Sequence, residues 1–119
     1  MHAAIYRKSA GVNCVIHFHD VYAIAMAEVC RGELPAIAHH SVMKLGSPVP
    51  ILDIPTPGIT DADMYRVEEL FDRHPKLGGF IHVRHGVFAL GKDPLRAFYN
   101  AELIEETAHI AFCDYLLKK

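Results

Sequence analysis

His17-Phe18-His19 is the segment of this 119-residue chain whose residue types and spacing speak most directly to chemistry. Residues 12–18 are β-rich, and on a strand residues two apart point to the same face, about 6.5–7 Å from one another. Two imidazoles so placed can converge on one ion at the roughly 2.0–2.1 Å of a zinc–nitrogen bond. The plainer reading is a pair of polar side chains on the wet face of a strand, and the spacing alone leaves both open. His85 adds a third imidazole where another strand ends, and Gly86 beside it lets a second group approach closely. Three histidines with one open coordination position is the pattern of a catalytic rather than a structural metal site. The open position would polarise a carbonyl or carry a water.

The other chemistry-bearing residues read more plainly. His82 and Arg84 are placed on a strand face opposite His85, which makes His82 solvated or structural. Glu106 and His109 have the Glu-x-x-His spacing of di-iron helix bundles, but such sites need further carboxylate ligands from partner helices. A surface Glu–His pair on a charged helix face is the better account. His74, before Pro75, suits a helix C-terminus. Cys14 alternates with Val15 on a strand and reads as core filling.

The elements that must position these groups follow from pattern and punctuation. Residues 2–8 resemble the last turns of a helix, closed by Gly11. A buried strand spans 12–18, and Asp20 is placed to cap a helix over 21–30 rich in alanine. A short apolar piece, 36–38, leads through His39-His40 to a small helix ending near Gly46. Residues 47–58 hold Pro48, Pro50, Pro55 and Pro57, which predicts an irregular or edge strand. Thr60 or Asp61 opens a helix to about His74, with Val67, Leu70 and Phe71 on its apolar side. Strands are predicted over 78–83 and 87–90. Asp93-Pro94 then starts a final helix whose stripe is Phe98, Ala101, Ile104, Ala108, Ala111, Phe112 and Tyr115. This irregular alternation, without repeats or a linker, predicts one α/β or α+β domain over 1–119.

Composition sets outer limits. At 51% apolar residues the chain can build a core, and 12 basic against 14 acidic residues offer no electrostatic footprint for nucleic acid. No apolar run approaches the roughly 20 residues of a membrane helix, and the start carries no signal-peptide core. Three cysteines, an odd number without CxxC spacing, argue against a disulfide framework and for a reduced, cytoplasmic setting. The absence of glutamine, with Asn13 and Asn100 the only asparagines, is a habit of heat-adapted proteins.

Taken together, several segments resemble the class II aldolase/adducin superfamily, whose members include L-fuculose-phosphate aldolase, ribulose-phosphate 4-epimerase and methylthioribulose-phosphate dehydratase. His2-Ala-Ala-Ile-Tyr-Arg followed by Val12-Asn-Cys-Val-Ile-His-Phe-His19 is similar to one family segment. Leu34-Pro-Ala-Ile37, with Gly46 and Val49-Pro50 after it, is similar to a second. Arg84-His-Gly-Val87 with Gly91 is similar to a third, and Pro94-Leu-Arg-Ala97 through Glu102 and Glu105 to the terminal helix. The resemblance implies a mostly antiparallel sheet covered by helices in a three-layer sandwich. It implies that His17, His19 and His85 bind Zn2+ or another divalent ion, which holds hydroxyketone oxygens and stabilises the enediolate of a retro-aldol cleavage. The implied substrate is a small phosphorylated sugar, and the implied assembly is a homotetramer with sites at subunit interfaces. His40 stands where a neighbouring subunit's tyrosine acts as an acid in the fuculose-phosphate enzyme. The family's acidic base and phosphate-gripping loops precede the segment that begins at Met1, so the resemblance implies an N-terminally truncated member. The alternatives are an adducin-like assembly or metal-binding module, and an epimerase or dehydratase on the same scaffold.

Overall fold

The structure, a computed structural model, describes residues 2–9, 11–30, 32–39, 45 and 48–118. Helix α1 (His2–Lys8) leads into strand β1 (Cys14–Phe18), helix α2 (Val21–Val29) and the short strand β2 (Glu33–Leu34). Strand β3 (Val49–Leu52) is followed by a 3-10 turn (Asp61–Asp63), helix α3 (Met64–Arg73) and strands β4 (Gly79–His82) and β5 (Gly86–Gly91). The long helix α4 (Pro94–Leu117) closes the chain. The strands form one sheet in the order β1-β5-β4-β3-β2. Among the described residues only β3 with β4 is parallel; the other three pairings are antiparallel. This is the mixed α/β architecture with a mostly antiparallel sheet that the resemblance implied.

Alternate strand residues fill two separate apolar layers. On one face Ile51, Ile81 and Val87 pack with Met26 of α2 and with Ile104 and Ala108 of α4. On the other, Leu52, Phe80 and Phe88 pack with Ile5 of α1 and with Val67 and Leu70 of α3. Because both faces are covered, β3, β4 and β5 are buried along their whole length and read as continuous apolar runs. None of the described helices is long and apolar enough to cross a membrane.

Three local expectations are corrected. The proline-rich stretch holds an interior strand, not an edge: β3 lies between β4 and β2, and β2 is the edge. Pro50 is tolerated because the parallel ladder with β4 begins one residue later, at Ile51 with Ile81, so no ladder donor is lost there. The cap on α2 also differs. Asp20 occupies the N-cap position, but its side chain makes no capping bond. Glu105 of α4 supplies the carboxylate instead, accepting from the backbone N–H of Ala23 at 2.9 Å and of Tyr22 at 3.1 Å. That arrangement satisfies the helix terminus and ties α2 to α4 in one step.

The third correction concerns α4. Asp93 caps it as expected, accepting from the N–H of Arg96 at 2.7 Å, with Pro94 in the first turn. Its buried stripe, however, is mostly small: Ala97, Ala101, Ile104, Ala108 and Ala111. Phe98 is 51% exposed and Tyr115 37%. Small residues let the helix axis approach the sheet, which pushes the large rings to the flanks. Gly91 is part of that approach, since a Cβ there would run into the backbone nitrogen of Ala97. The small helix expected to end near Gly46 falls mostly outside the described residues.

Candidate metal centre

His17 is held at the end of β1, His19 lies just beyond it, and His85 sits in the turn joining β4 to β5. Antiparallel pairing sets His17 opposite Phe88 and Phe18 opposite Val87, which carries the end of β1 to the mouth of that turn. The three histidines can each offer one nitrogen, and those atoms lie within 4.8 Å of one another. Around a tetrahedral zinc with bonds of about 2.05 Å, ligand nitrogens stand about 3.3 Å apart. Side-chain rotation closing the widest gap by roughly 1.5 Å would therefore complete the arrangement. His19 is exposed and the other two are half-buried, so the cluster opens outward on the His19 side.

Each ring has a physical reason for its placement. The Nδ1 of His17 lies 3.1 Å from the carbonyl of Val87. A carbonyl can only accept, so Nδ1 carries the proton and Nε2 the lone pair a metal would use. The His17 ring is stacked between Phe88, centroids 4.4 Å apart, and His85 at 4.8 Å. His19 meets both imidazoles edge-on. Burial holds the His85 imidazolium below its usual range, and any positive charge on His17, His82 or His19 adds to that. The shift favours the neutral, ligand-competent ring. Gly86 leaves the space in which the rings meet. A Cβ there would stand 2.5 Å from the Phe18 carbonyl oxygen, 2.9 Å from the His19 ring and 3.0 Å from the His17 ring. These features fit a divalent ion: three imidazole donors, one fixed tautomer, one suppressed charge and a cradle that a side chain would fill.

His82 departs from expectation. It is 1% exposed, and its Nε2 lies 3.0 Å from the carbonyl of Ile54. Its ring is stacked on His85 with centroids 5.0 Å apart, so the two are neighbours rather than on opposite faces. The reason is Arg84, which adopts a left-handed backbone (φ 59°) and breaks the two-residue alternation of the strand. The Arg84 side chain pairs with Glu28 at 3.0 Å on the surface.

The remaining candidates lie elsewhere. His40 falls outside the described residues. His109 lies flat on Tyr22, centroids 4.0 Å apart, and is not one of the converging histidines. Cys14 is half-buried at the sheet edge rather than in the core. A cavity of about 660 Å³ is lined by Ile16, Phe18, Phe98, Asp20, Tyr22 and Glu105, among others, and none of the three histidines lines it. Asp20 there is pushed up to about 6, by burial first and by the charge of Glu105 second.

The fold and the histidine cluster define a class of protein, and comparison gives the family. The family model described as the Class II Aldolase and Adducin N-terminal domain matches residues 1–112, and the chain belongs to that family. It is 29% identical to the 3-oxo-tetronate 4-phosphate decarboxylase of Haemophilus influenzae, over 93% of this chain and 52% of that one. It is 26% identical to the L-fuculose phosphate aldolase of Methanocaldococcus jannaschii, over all of this chain and 61% of that one. The crystal structure of L-fuculose-1-phosphate aldolase from Thermus thermophilus has the same fold. Its TM-score is 0.82 at 24% identity, covering 98% of this chain and 60% of the other. The chain thus spans 52% and 61% of the length of the two curated relatives.

Proposed function

We propose that His17, His19 and His85 hold one divalent metal ion and that the chain carries the metal-binding part of an aldolase-type lyase. The observation that carries this reading is the convergence of three imidazole nitrogens within 4.8 Å from segments far apart in sequence. Three imidazoles with an open position favour Zn2+ over the harder, oxygen-loving ions. Once bound, the ion would polarise a substrate carbonyl and stabilise the negative charge left by carbon–carbon cleavage.

The protein groups have distinct tasks on this reading. His17, locked between Phe88 and His85 and tied to Val87, is the rigid ligand. His85, whose charged form is disfavoured by burial, is biased toward the neutral imidazole that a metal binds. His19, the exposed ring, borders the side from which substrate arrives. The substrate is a small phosphorylated hydroxyketone, in line with the L-fuculose phosphate aldolase relative. In the retro-aldol step the hydroxyl proton of the carbinol carbon leaves to a base as the aldehyde forms. The bond to the carbon beside the ketone breaks, and its electron pair stays on the ketone fragment, which is protonated to complete the balance. His40 of a neighbouring subunit is the proton donor we assign, within a cytoplasmic homotetramer of single-domain subunits from a heat-adapted source.

The 29% identical decarboxylase favours a second reading on the same metal chemistry, loss of CO2 from a 3-oxo sugar acid phosphate. Both reactions leave an electron pair beside a carbonyl, so the three histidines serve either. The test has two parts. Elemental analysis of His19→Ala should show metal content falling to less than about a tenth of the parent while the circular dichroism spectrum is kept; undiminished metal in a folded variant overturns the ligand assignment. Incubation with L-fuculose 1-phosphate and with 3-oxo-tetronate 4-phosphate then separates aldehyde release from CO2 release. Neither product from the metal-loaded protein would leave the adducin-like, non-catalytic reading ahead.

A further inference from the structure

His85 is the one of the three clustered histidines placed by a turn, and its orientation must come from something firmer than the turn. The residue before it is left-handed, and the backbone bond of the turn, from the His85 N–H to the His82 carbonyl at 3.0 Å, fixes the main chain but not the ring. The ring itself is held between two others. His17 covers one side at 4.8 Å and 23°, and His82 stacks on it at 5.0 Å and 22°. The same stack continues from His17 to Phe88 at 4.4 Å and from Phe88 to Phe80 at 5.0 Å, so five rings run from Phe80 to His82 with interplanar angles of 20° to 25°.

His82 closes that stack and is itself immobilised twice. It belongs to β4, an interior strand paired on both sides, and its Nε2 donates to the carbonyl of Ile54 at 3.0 Å, with both residues essentially without solvent exposure. Leucine could fill this volume without burying a polar ring, but it would offer neither a flat face for His85 nor a donor for Ile54. Resting on the metal reading above, we propose that His82 is a positioning residue: its anchored ring sets the plane of His85 and so presents the His85 nitrogen to the ion bound with His17 and His19. His82 is not one of the three histidines whose nitrogens converge, so its effect on the ion runs through the His85 ring.

The experiment is Zn2+ titration by calorimetry, with the visible spectrum of the Co2+-loaded protein, for the parent chain, His82→Leu, His82→Phe and Ile81→Ala. Ile81 neighbours His82 on β4 but faces the opposite layer, so its variant measures what general destabilisation of the strand does. His82→Leu should weaken Zn2+ binding 10- to 100-fold and alter the Co2+ ligand-field bands, as loss of an outer partner does at metal sites. His82→Phe keeps the flat face and loses only the anchor, so a smaller loss is expected; it also supplies the comparison if the leucine variant fails to fold. Ile81→Ala should lower the melting temperature and leave both metal readouts alone. Parent-like affinity and spectrum in the folded His82 variants, or equal shifts in Ile81→Ala, would overturn the positioning role while leaving the metal site standing. A parent chain that binds neither Zn2+ nor Co2+ would overturn both.

Discussion

The two faces of the sheet are made from the same strands and do different work. Toward α2 and α4 the strands present Ile51, Ile81 and Val87, and the helices answer with alanines, methionine and Ile104. Toward α1 and α3 they present Phe80, His82, Phe88 and His17, and the flat rings stack one upon the next until they reach the candidate metal cluster. Aliphatic packing is non-directional and fills volume. Stacked rings also fix planes, and a ligand set needs planes fixed. The contrast teaches that one layer holds the fold together while the other also aims its side chains.

That contrast can be broken from either side. Ile104→Ala empties a fully buried position of the aliphatic layer and should destabilise the chain by about 2–5 kcal/mol. Chemical denaturation will measure the loss, and Zn2+ affinity at a temperature where the variant is folded should be unchanged. A matching drop in affinity would show the two faces to be one coupled unit. Gly86→Ala acts on the other side. Its new Cβ meets the Phe18 carbonyl oxygen, which is backbone and can move only with the strand, and the rings of His17 and His19. The variant should lose about 1–3 kcal/mol of stability and, unlike Ile104→Ala, also bind metal more weakly. Retained affinity there would mean that the cradle is not a determinant.

The smallest effect belongs to Asp20, whose raised position near 6 means that its ionised form is disfavoured in the folded chain. The stabilising contribution of the protonated carboxyl is complete below about pH 4, its usual range, and is lost as pH rises through 6. In metal-free protein Asp20→Asn should therefore match the parent near pH 4 and become more stable toward pH 7. The gain should stay below about 1 kcal/mol, because much of the carboxyl faces water. A variant less stable than the parent at pH 7 would show that the carboxylate has a stabilising partner after all.

How much of this is legible in advance differs from residue to residue. The convergence of His17 and His19 is legible because a strand keeps its period of two, and that of His85 because a glycine follows it. The mostly antiparallel sheet comes from the resemblance; periodicity alone predicts only a mixed order of helices and strands. His82 escapes a periodic reading because the alternation does not run on through Val83-Arg84-His85. A basic residue taking the left-handed conformation has no signal in composition. Proline content argues for an edge at β3, but one proline is harmless where no ladder bond is due. Position alone assigns the cap of α2 to Asp20, whereas Glu105 reaches it from a helix more than 80 residues away, a contact that local reading cannot supply. The aromatic residues of α4 match a helical period yet sit on the flanks, since period marks a direction and not how closely the helix approaches.

The central claim is that one divalent ion is held by three imidazoles from the ends of β1 and the β4–β5 turn. X-ray absorption at the zinc edge, on the chain loaded with one equivalent of Zn2+, reads the donor atoms directly. A three-imidazole site gives a first shell of nitrogen or oxygen at about 2.0–2.1 Å, with outer-shell scattering from three imidazole rings. A sulfur shell near 2.3 Å, which would bring in a cysteine, or no ordered imidazole scattering in the folded chain, would contradict it.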